Sequence, residues 1–168
     1  GIDTVNAASF DTALEINTGS GADVITTQSG TLDLNVDAGA GADSITVTSS
    51  EFDADDTVAG GDGTDTVTLS GAATLADADF ANKTTVEALT ADDATNSLTL
   101  GTKASDAGLA TVTGGSGIDT VNAASFDTAL EINTGSGADV ITTQSGTLNL
   151  NVDAGAGDDS ITVTSSEF

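Results

Sequence analysis

The stretch that decides the fold has the sequence GGDGTDTVT over residues 60–68. Glycines stand at alternate positions, an aspartate follows the last glycine by two residues, and an aliphatic residue follows the aspartate by two. The same pattern returns as GGSGIDTVN over residues 114–122, and in shortened form at five further places. Because glycine adopts backbone conformations closed to residues with a Cβ, each copy predicts a tight corner of the chain.

These corners recur at regular intervals. We call the aspartate that ends each pattern the marker residue, and successive markers lie 20 to 31 residues apart, with Asn96 as a degenerate marker. Residues 1–52 also recur as residues 117–168 with only two differences. We therefore predict one solenoid unit of five coils over residues 1–116, with longer, irregular coils at residues 71–113. Residues 117–168 begin the next unit, and the chain is expected to come from a longer tandem array.

Aliphatic residues keep register with the markers and predict the strands. One stands two residues after every marker, as Val67 does after Asp65, and others precede most corners at period-2 spacing. This spacing predicts two short strands per coil, each with one face inward. The fold class expected is an all-β parallel β-solenoid, a β-roll or β-helix with coils of about 20 residues. In the irregular coils we expect strands at residues 85–90 and 97–100, and loops at 76–84 and 102–108 that allow a helical turn.

The composition excludes many functions. The 168 residues include no His, Cys, Trp, Tyr, Met, Pro or Arg. Zinc and thiol chemistry, imidazole catalysis and a basic surface for nucleic acid are therefore not expected. No apolar run has the length of a membrane span. We predict that the chain is not an enzyme.

Charge predicts a bound cation. The 27 acidic residues outnumber the 2 basic ones, which gives a net charge of −25. Stacked coils would place like carboxylates about 5 Å apart, and a divalent cation between them would remove the repulsion. Carbonyl and carboxylate oxygens of two stacked corners could supply the six to eight ligands that Ca²⁺ prefers. We predict several calcium ions in one row along one edge. The alternative is that Gly and Asp serve only as turn formers.

The corners resemble the repeats-in-toxin (RTX) calcium-binding repeats, whose nonapeptide is Gly-Gly-x-Gly-x-Asp-x-aliphatic-x and which fold as parallel β-rolls. Such repeats occur in giant secreted bacterial adhesins and surface-layer proteins. The resemblance implies calcium-dependent folding, type I secretion and an extracellular or cell-surface location, with Asp65 and Asp119 as ligands. This chain departs from the family in having one nonapeptide per coil instead of two, and in the glycine-free corner at Asn96.

The candidate metal ligands are the marker aspartates, the corner glycines and three further corner aspartates. They are Asp3, Asp23, Asp43, Asp65, Asp119, Asp139 and Asp159; Gly19, Gly21, Gly39, Gly41, Gly61, Gly63, Gly115, Gly117, Gly135, Gly137, Gly155 and Gly157; and Asp37, Asp62 and Asp153.

Two further groups of side chains are predicted away from these corners. Four phenylalanines are expected to cap the core at the opposite edge, and an acidic cluster is expected to form a solvated face, with an ion site as the alternative. They are Phe10, Phe52, Phe126 and Phe168, and Glu51, Asp53, Asp55 and Asp56.

Together these features predict a calcium-binding structural or adhesive repeat of a secreted bacterial surface protein or extracellular fibre, folding on calcium after export. Its expected partners are calcium, neighbouring repeats or copies of itself, and a host surface or polysaccharide. One alternative is an RTX secretion and folding module attached to a toxin or enzyme. Another is ice binding, because a polar ladder of Asn6, Thr26, Thr46, Thr68, Asn122, Thr142 and Thr162 follows the markers. A carbohydrate-active enzyme is disfavoured, because no Arg or Trp could bind a sugar.

Overall fold

The computed structural model describes residues 1–9, 12–27, 33–145 and 149–165. Over these residues the chain winds into a parallel β-solenoid, which confirms the predicted fold class. Register partners in neighbouring regular coils are 20 residues apart, as Val5, Ile25 and Ile45 are. Inward aliphatic side chains from the stacked strands form one continuous core.

The described strands form three main sheets. The long sheet contains Thr4–Asn6, Val24–Thr26, Ser44–Val47, Thr66–Leu69, Ala88–Thr90, Thr111–Gly115, Leu130–Gly135 and Leu150–Asp153. The four-stranded sheet contains Leu14–Asn17, Leu34–Asp37, Thr57–Ala59 and Lys83–Thr84. The five-stranded sheet contains Thr74–Leu75, Ser97–Thr99, Thr120–Ala123, Val140–Ser145 and Ser160–Ser165. A small corner sheet pairs Ala40–Gly41 with Asp62–Gly63.

Equivalent strands of the two copies of the repeated sequence occupy different sheets. In the first copy the strands that follow the markers lie in the long sheet, where Val5 pairs with Ile25. In the second copy the equivalent strands lie in the five-stranded sheet, where Val121 pairs with Ile141. The strands that precede the markers of the second copy, such as Leu130–Gly135, take the places in the long sheet.

The second copy is therefore half a coil out of phase with the first. The long sheet advances five coils, from Thr4–Asn6 to Thr111–Gly115, before the chain crosses to Thr120–Ala123 in the five-stranded sheet. A unit of 116 residues thus makes about five and a half coils, and the prediction of five was wrong. The cause lies between Asp65 and Asn96. There the chain completes one coil, from Val67 to its partner Leu89, and then half of another.

The irregular segment contains the short helical turns that the sequence allowed. A 3₁₀ helix spans Asp77–Phe80, an α-helix spans Thr102–Asp106, and a further 3₁₀ turn spans Ser49–Glu51. The Asp77 carboxylate joins the first two elements, because its Oδ1 accepts hydrogen bonds from the Gly101 and Ala104 amides at 2.8 and 3.0 Å. None of the described helices has the length and hydropathy of a membrane-spanning segment.

Phenylalanines close the core at the turns, as predicted. Phe52 and Phe126 are buried, and the Phe52 ring meets Phe80 edge to face with centroids 5.1 Å apart. Phe10 and Phe168 lie outside the described residues.

Candidate metal centre

The marker residues of the first copy stack into a column at the edge where strands of the long sheet begin. The amides of Asp3, Asp23 and Asp43 each donate to the Oδ1 of the marker one coil further, at 2.6, 2.7 and 2.8 Å. The Asp65 amide donates in the same way to Glu87 Oε2, at 2.8 Å. We call Asp3, Asp23, Asp43, Asp65 and Glu87 the first column.

The remaining markers form a second column at the edge where strands of the long sheet end. The amides of Asn96, Asp119 and Asp139 donate to the Oδ1 of the next marker at 3.1, 2.8 and 3.0 Å. We call Asn96, Asp119, Asp139 and Asp159 the second column. Since all strands of the long sheet are parallel, their two ends are opposite edges of the solenoid. The expectation that all the marker corners lie along one edge was wrong, because the half-coil shift moves the later corners to the other edge of the long sheet.

Glu87 is the member that the sequence analysis missed, although a signal for it was present. It lies 22 residues after Asp65, as Asp65 lies 22 after Asp43, and the aliphatic Leu89 follows it by two residues. Glu87 was missed because the corner before it lacks the glycine pattern. Asn96, by contrast, takes the marker place predicted for it, and its Oδ1 accepts from the Ala73 amide at 3.0 Å.

Five aspartates of the two columns are buried and incompletely hydrogen-bonded, whereas Asp3 is exposed and Glu87 and Asp159 are half-buried. The side chains of Asp23, Asp43, Asp65, Asp119 and Asp139 are at most 2% exposed. In each of these five the Oδ2 atom is buried without a hydrogen-bond partner. Buried polar atoms in native proteins almost always have a partner, and an isolated buried charge costs several kcal/mol. Among the described residues, these five are the buried carboxylate oxygens without a hydrogen-bond partner, so each of them would be stabilised by a proton or a cation.

The pKa values of two column residues are raised, which agrees with the lack of a partner for their buried carboxylates. Burial raises the pKa of Asp65 above its usual value, and the neighbouring carboxylates of Asp43 and Glu87 add to the rise. Burial also raises the pKa of Asp119, with Asp139 adding to it, against the hydrogen bond from the Asn96 side chain. That bond, from Asn96 Nδ2 to Asp119 Oδ1 at 2.8 Å, shows how a neutral amide fits the column.

The corner glycines have a structural role in the stacking of coils. A Cβ at Gly41 would lie 1.7 Å from the Gly21 carbonyl oxygen, and one at Gly157 would lie 1.4 Å from the Gly137 oxygen. Both glycines have strongly positive φ, 151° and 153°. The carbonyls of Gly19 and Gly39 accept hydrogen bonds of 2.8 Å from the coil above, so they point along the solenoid axis.

These carboxylates have the chemistry of calcium ligands, but the described side chains alone do not complete a coordination shell. The unpartnered Oδ2 atoms are anionic oxygen ligands, which Ca²⁺ prefers, and they recur once per coil. Among the described residues, however, no group of three or more acidic side chains is placed to hold a metal ion. A calcium ion held by Asp23 and Asp43 would need further oxygens from the backbone or from water.

The three additional corner aspartates stay outside the columns. Asp37, Asp62 and Asp153 are exposed. Asp37 Oδ2 accepts from Asn17 Nδ2 at 3.4 Å, and Asp153 Oδ1 accepts from the Gly155 amide at 2.9 Å. The structure thus places these three carboxylates on the surface, where they are reached from solvent.

Comparison of the chain with protein-family models, curated proteins and solved structures finds no match.

The acidic cluster after Ser50 is part of a folded loop. Glu51 and Asp56 are buried, and the Asp56 carboxylate accepts from the amides of Leu34 and Asp53 at 2.7 and 3.1 Å. The expectation of a solvated face is thus wrong for these two residues.

A buried lysine closes this loop. Lys83 Nζ donates to the carbonyls of Asp53 and Asp56 at 2.6 and 2.7 Å and lies 4.8 Å from the centroid of the Phe52 ring. Burial lowers the pKa of Lys83 to about 8, against the attraction of the nearby aspartates. The lysine thereby satisfies two loop carbonyls from inside the solenoid.

Proposed function

We propose that this chain is a calcium-binding structural repeat of a secreted bacterial surface protein or extracellular fibre, which folds when calcium neutralises the two columns after export. The observation that carries the proposal is the set of five buried Oδ2 atoms without a partner. The resemblance of the corners to RTX repeats supports the choice of calcium and of an extracellular location.

Electrostatic repulsion provides the coupling between the ion and the fold. Neighbouring carboxylates about 4.8 Å apart repel each other by about 3 kcal/mol at an effective dielectric constant of about 20. A chain of net charge −25 with only 2 basic residues has little to offset this repulsion internally. In a low-calcium cytosol the chain would stay unfolded and suitable for export. Extracellular calcium-binding modules typically have dissociation constants of about 10⁻⁴ to 10⁻³ M, within reach of external calcium.

The regularity of the coils favours a structural role over catalysis. Residues 1–52 and 117–168 differ at only two positions, and the stacked coils repeat the same corner. Such repetition produces length and stiffness, whereas a catalytic site needs one irregular group of side chains. The adhesive partner, a host surface or polysaccharide, stays a prediction from the resemblance.

Far-UV circular dichroism during a calcium titration tests the proposal. We expect a disordered spectrum in chelator and a β spectrum in millimolar calcium, with magnesium much less effective. A β spectrum of the same intensity and thermal stability in chelator would reject calcium-dependent folding.

A second candidate function, ice binding, is supported by one specific observation. The long sheet presents an unbroken outward ladder of Thr26, Thr46, Thr68, Thr90 and Thr113, because Thr68, Thr90 and Thr113 are register partners. These five hydroxyls make no hydrogen bond within the described part of the chain. A rigid array of free hydroxyls at about 4.8 Å intervals suits an ordered water lattice.

Thermal hysteresis, measured in calcium, decides this candidate. Thr68→Lys would abolish the effect if the ladder binds ice, while Asn35→Lys in the four-stranded sheet would leave it unchanged. Absence of hysteresis in the unmodified chain would dismiss ice binding.

A further inference from the structure

The half-coil shift has consequences for a tandem array, because its cause lies inside the repeated unit. The extra half coil is built from Thr74–Leu75, the 3₁₀ helix Asp77–Phe80 and Lys83–Thr84, all between two strands of the long sheet. The Asp77 carboxylate and the Lys83 ammonium hold this segment against its neighbours through backbone groups. Every further unit with this sequence would repeat the shift.

The outward side chains of the long sheet change from uncharged to partly charged where the shift occurs. From Thr4–Asn6 to Thr111–Gly115 its outward side chains are uncharged, and Thr predominates. The next two strands present Glu131, Asn133, Asn151 and Asp153 instead.

The other two main sheets differ in the reverse sense. The four-stranded sheet of the first copy exposes Glu15 and Asp37, whereas the five-stranded sheet of the second copy exposes Thr120 and Asn122 and leaves Thr142 half-buried. The uncharged face therefore passes from the long sheet to the five-stranded sheet between the two copies.

We infer that successive units of the array alternate by half a coil, so that the uncharged face and the marker column of each unit point away from those of its neighbours. The true structural period is then two units, or eleven coils. The rod is two-sided and presents the same surface on both sides in alternate units. A partner that recognises one unit can thus be bound on both sides, and the rod can link two like surfaces.

Cysteine pairs test the shift in this chain, which has no native cysteine. With the shift, Thr68 lies beside Thr90; without it, the residue in the next coil would be Thr99, three residues after the Asn96 marker. We expect T68C/T90C to form a disulfide on mild oxidation in calcium, and T68C/T99C to stay reduced. T46C/T68C is the matched control, since those positions are partners in either arrangement. Closure of T68C/T99C, or of neither pair while the control closes, would overturn the shift.

An array of six copies of residues 1–116 with Ala22→Cys in each unit then tests the alternation. Ala22 is exposed, so a maleimide–gold label there should not disturb the core. Electron microscopy should show labels on both sides of the rod, about 26 Å apart along the axis from unit to unit and about 53 Å apart on either side. A single row of labels on one side would overturn the inference, whether or not the array binds calcium.

Discussion

Residues 1–52 and 117–168 share almost one sequence, but their equivalent strands lie in different sheets of the solenoid. Their local structure is the same: a glycine corner, a marker carboxylate that accepts the amide of the previous coil, and an inward aliphatic residue. Their surroundings differ, because the first copy supplies marker strands to the long sheet and the second supplies them to the five-stranded sheet. Local sequence thus determines the shape of a coil, while the irregular segment between the copies determines which sheet its marker strand joins.

The largest expected difference between the copies concerns the stacking glycines Gly21 and Gly137. A Cβ at Gly21 would lie 1.7 Å from the Gly1 oxygen, and one at Gly137 would lie 2.1 Å from the Gly117 oxygen. Gly137→Ala should lower the free energy of unfolding by about 3 kcal/mol or more, through steric overlap and positive φ. Gly21→Ala should cost less, because the Gly1 carbonyl that it would meet belongs to an exposed residue that can shift to relieve the overlap. Thermal melts in calcium measure both, with Gly1→Ala as the control, and equal losses would contradict this account.

The two columns should respond alike to neutral substitution. In chelator, Asp23→Asn and Asp139→Asn should each shift the folding equilibrium toward the solenoid by about 1–3 kcal/mol, because an amide removes a buried charge and donates to its neighbour as Asn96 does. The shift is measured as a gain of β signal in far-UV circular dichroism. Each variant should also weaken the stabilisation by calcium. Asp62→Asn, at an exposed corner, is the matched control and should change little. No gain of β signal in either column variant would contradict the proposed repulsion within the columns.

The pH dependence should have the same sign in both columns. The pKa of Asp65 in the first and of Asp119 in the second is raised above the ordinary 3.8. Between the pKa of the unfolded state and the raised pKa of the folded state, the folded state binds more protons than the unfolded state. Stability therefore falls as pH rises through that window. In chelator the β signal in far-UV circular dichroism should be strongest below about pH 4 and should be lost toward neutral pH. Calcium should flatten the profile, and a β signal that increases with pH in chelator would refute the assignment.

The smallest effect is expected from exchanging the two natural differences between the copies. Ala42 and Asp33 are exposed, and each has a different residue at its counterpart, Asp158 and Asn149. Ala42→Asp and Asp33→Asn should each change the free energy of unfolding by less than about 0.5 kcal/mol, as is usual at exposed positions. Chemical denaturation in calcium measures these changes, and a larger loss would mean that the copies are not interchangeable.

Much of the structure of each coil could be predicted from the sequence, because it depends on contacts with the adjacent coils. Alternate glycines, the marker and the aliphatic two residues later occupy the places expected of them, and so does Asn96. The half-coil shift could not be predicted in the same way. Lys83 takes the inward place next to Val58 where an aliphatic residue was expected, so the strand Lys83–Thr84 was hidden. Glu87 was missed because its corner has no glycine pattern, and the interval from Asp65 to Asn96 therefore resembled one long coil.

A crystal structure of the chain grown in calcium, with anomalous scattering used to locate the ions, tests the central claim most directly. We predict ions beside the Oδ2 atoms of Asp23, Asp43 and Asp65 at one edge of the long sheet, and beside those of Asp119 and Asp139 at the opposite edge. A folded chain with no ion at either column, or with every ion on one edge, would contradict it.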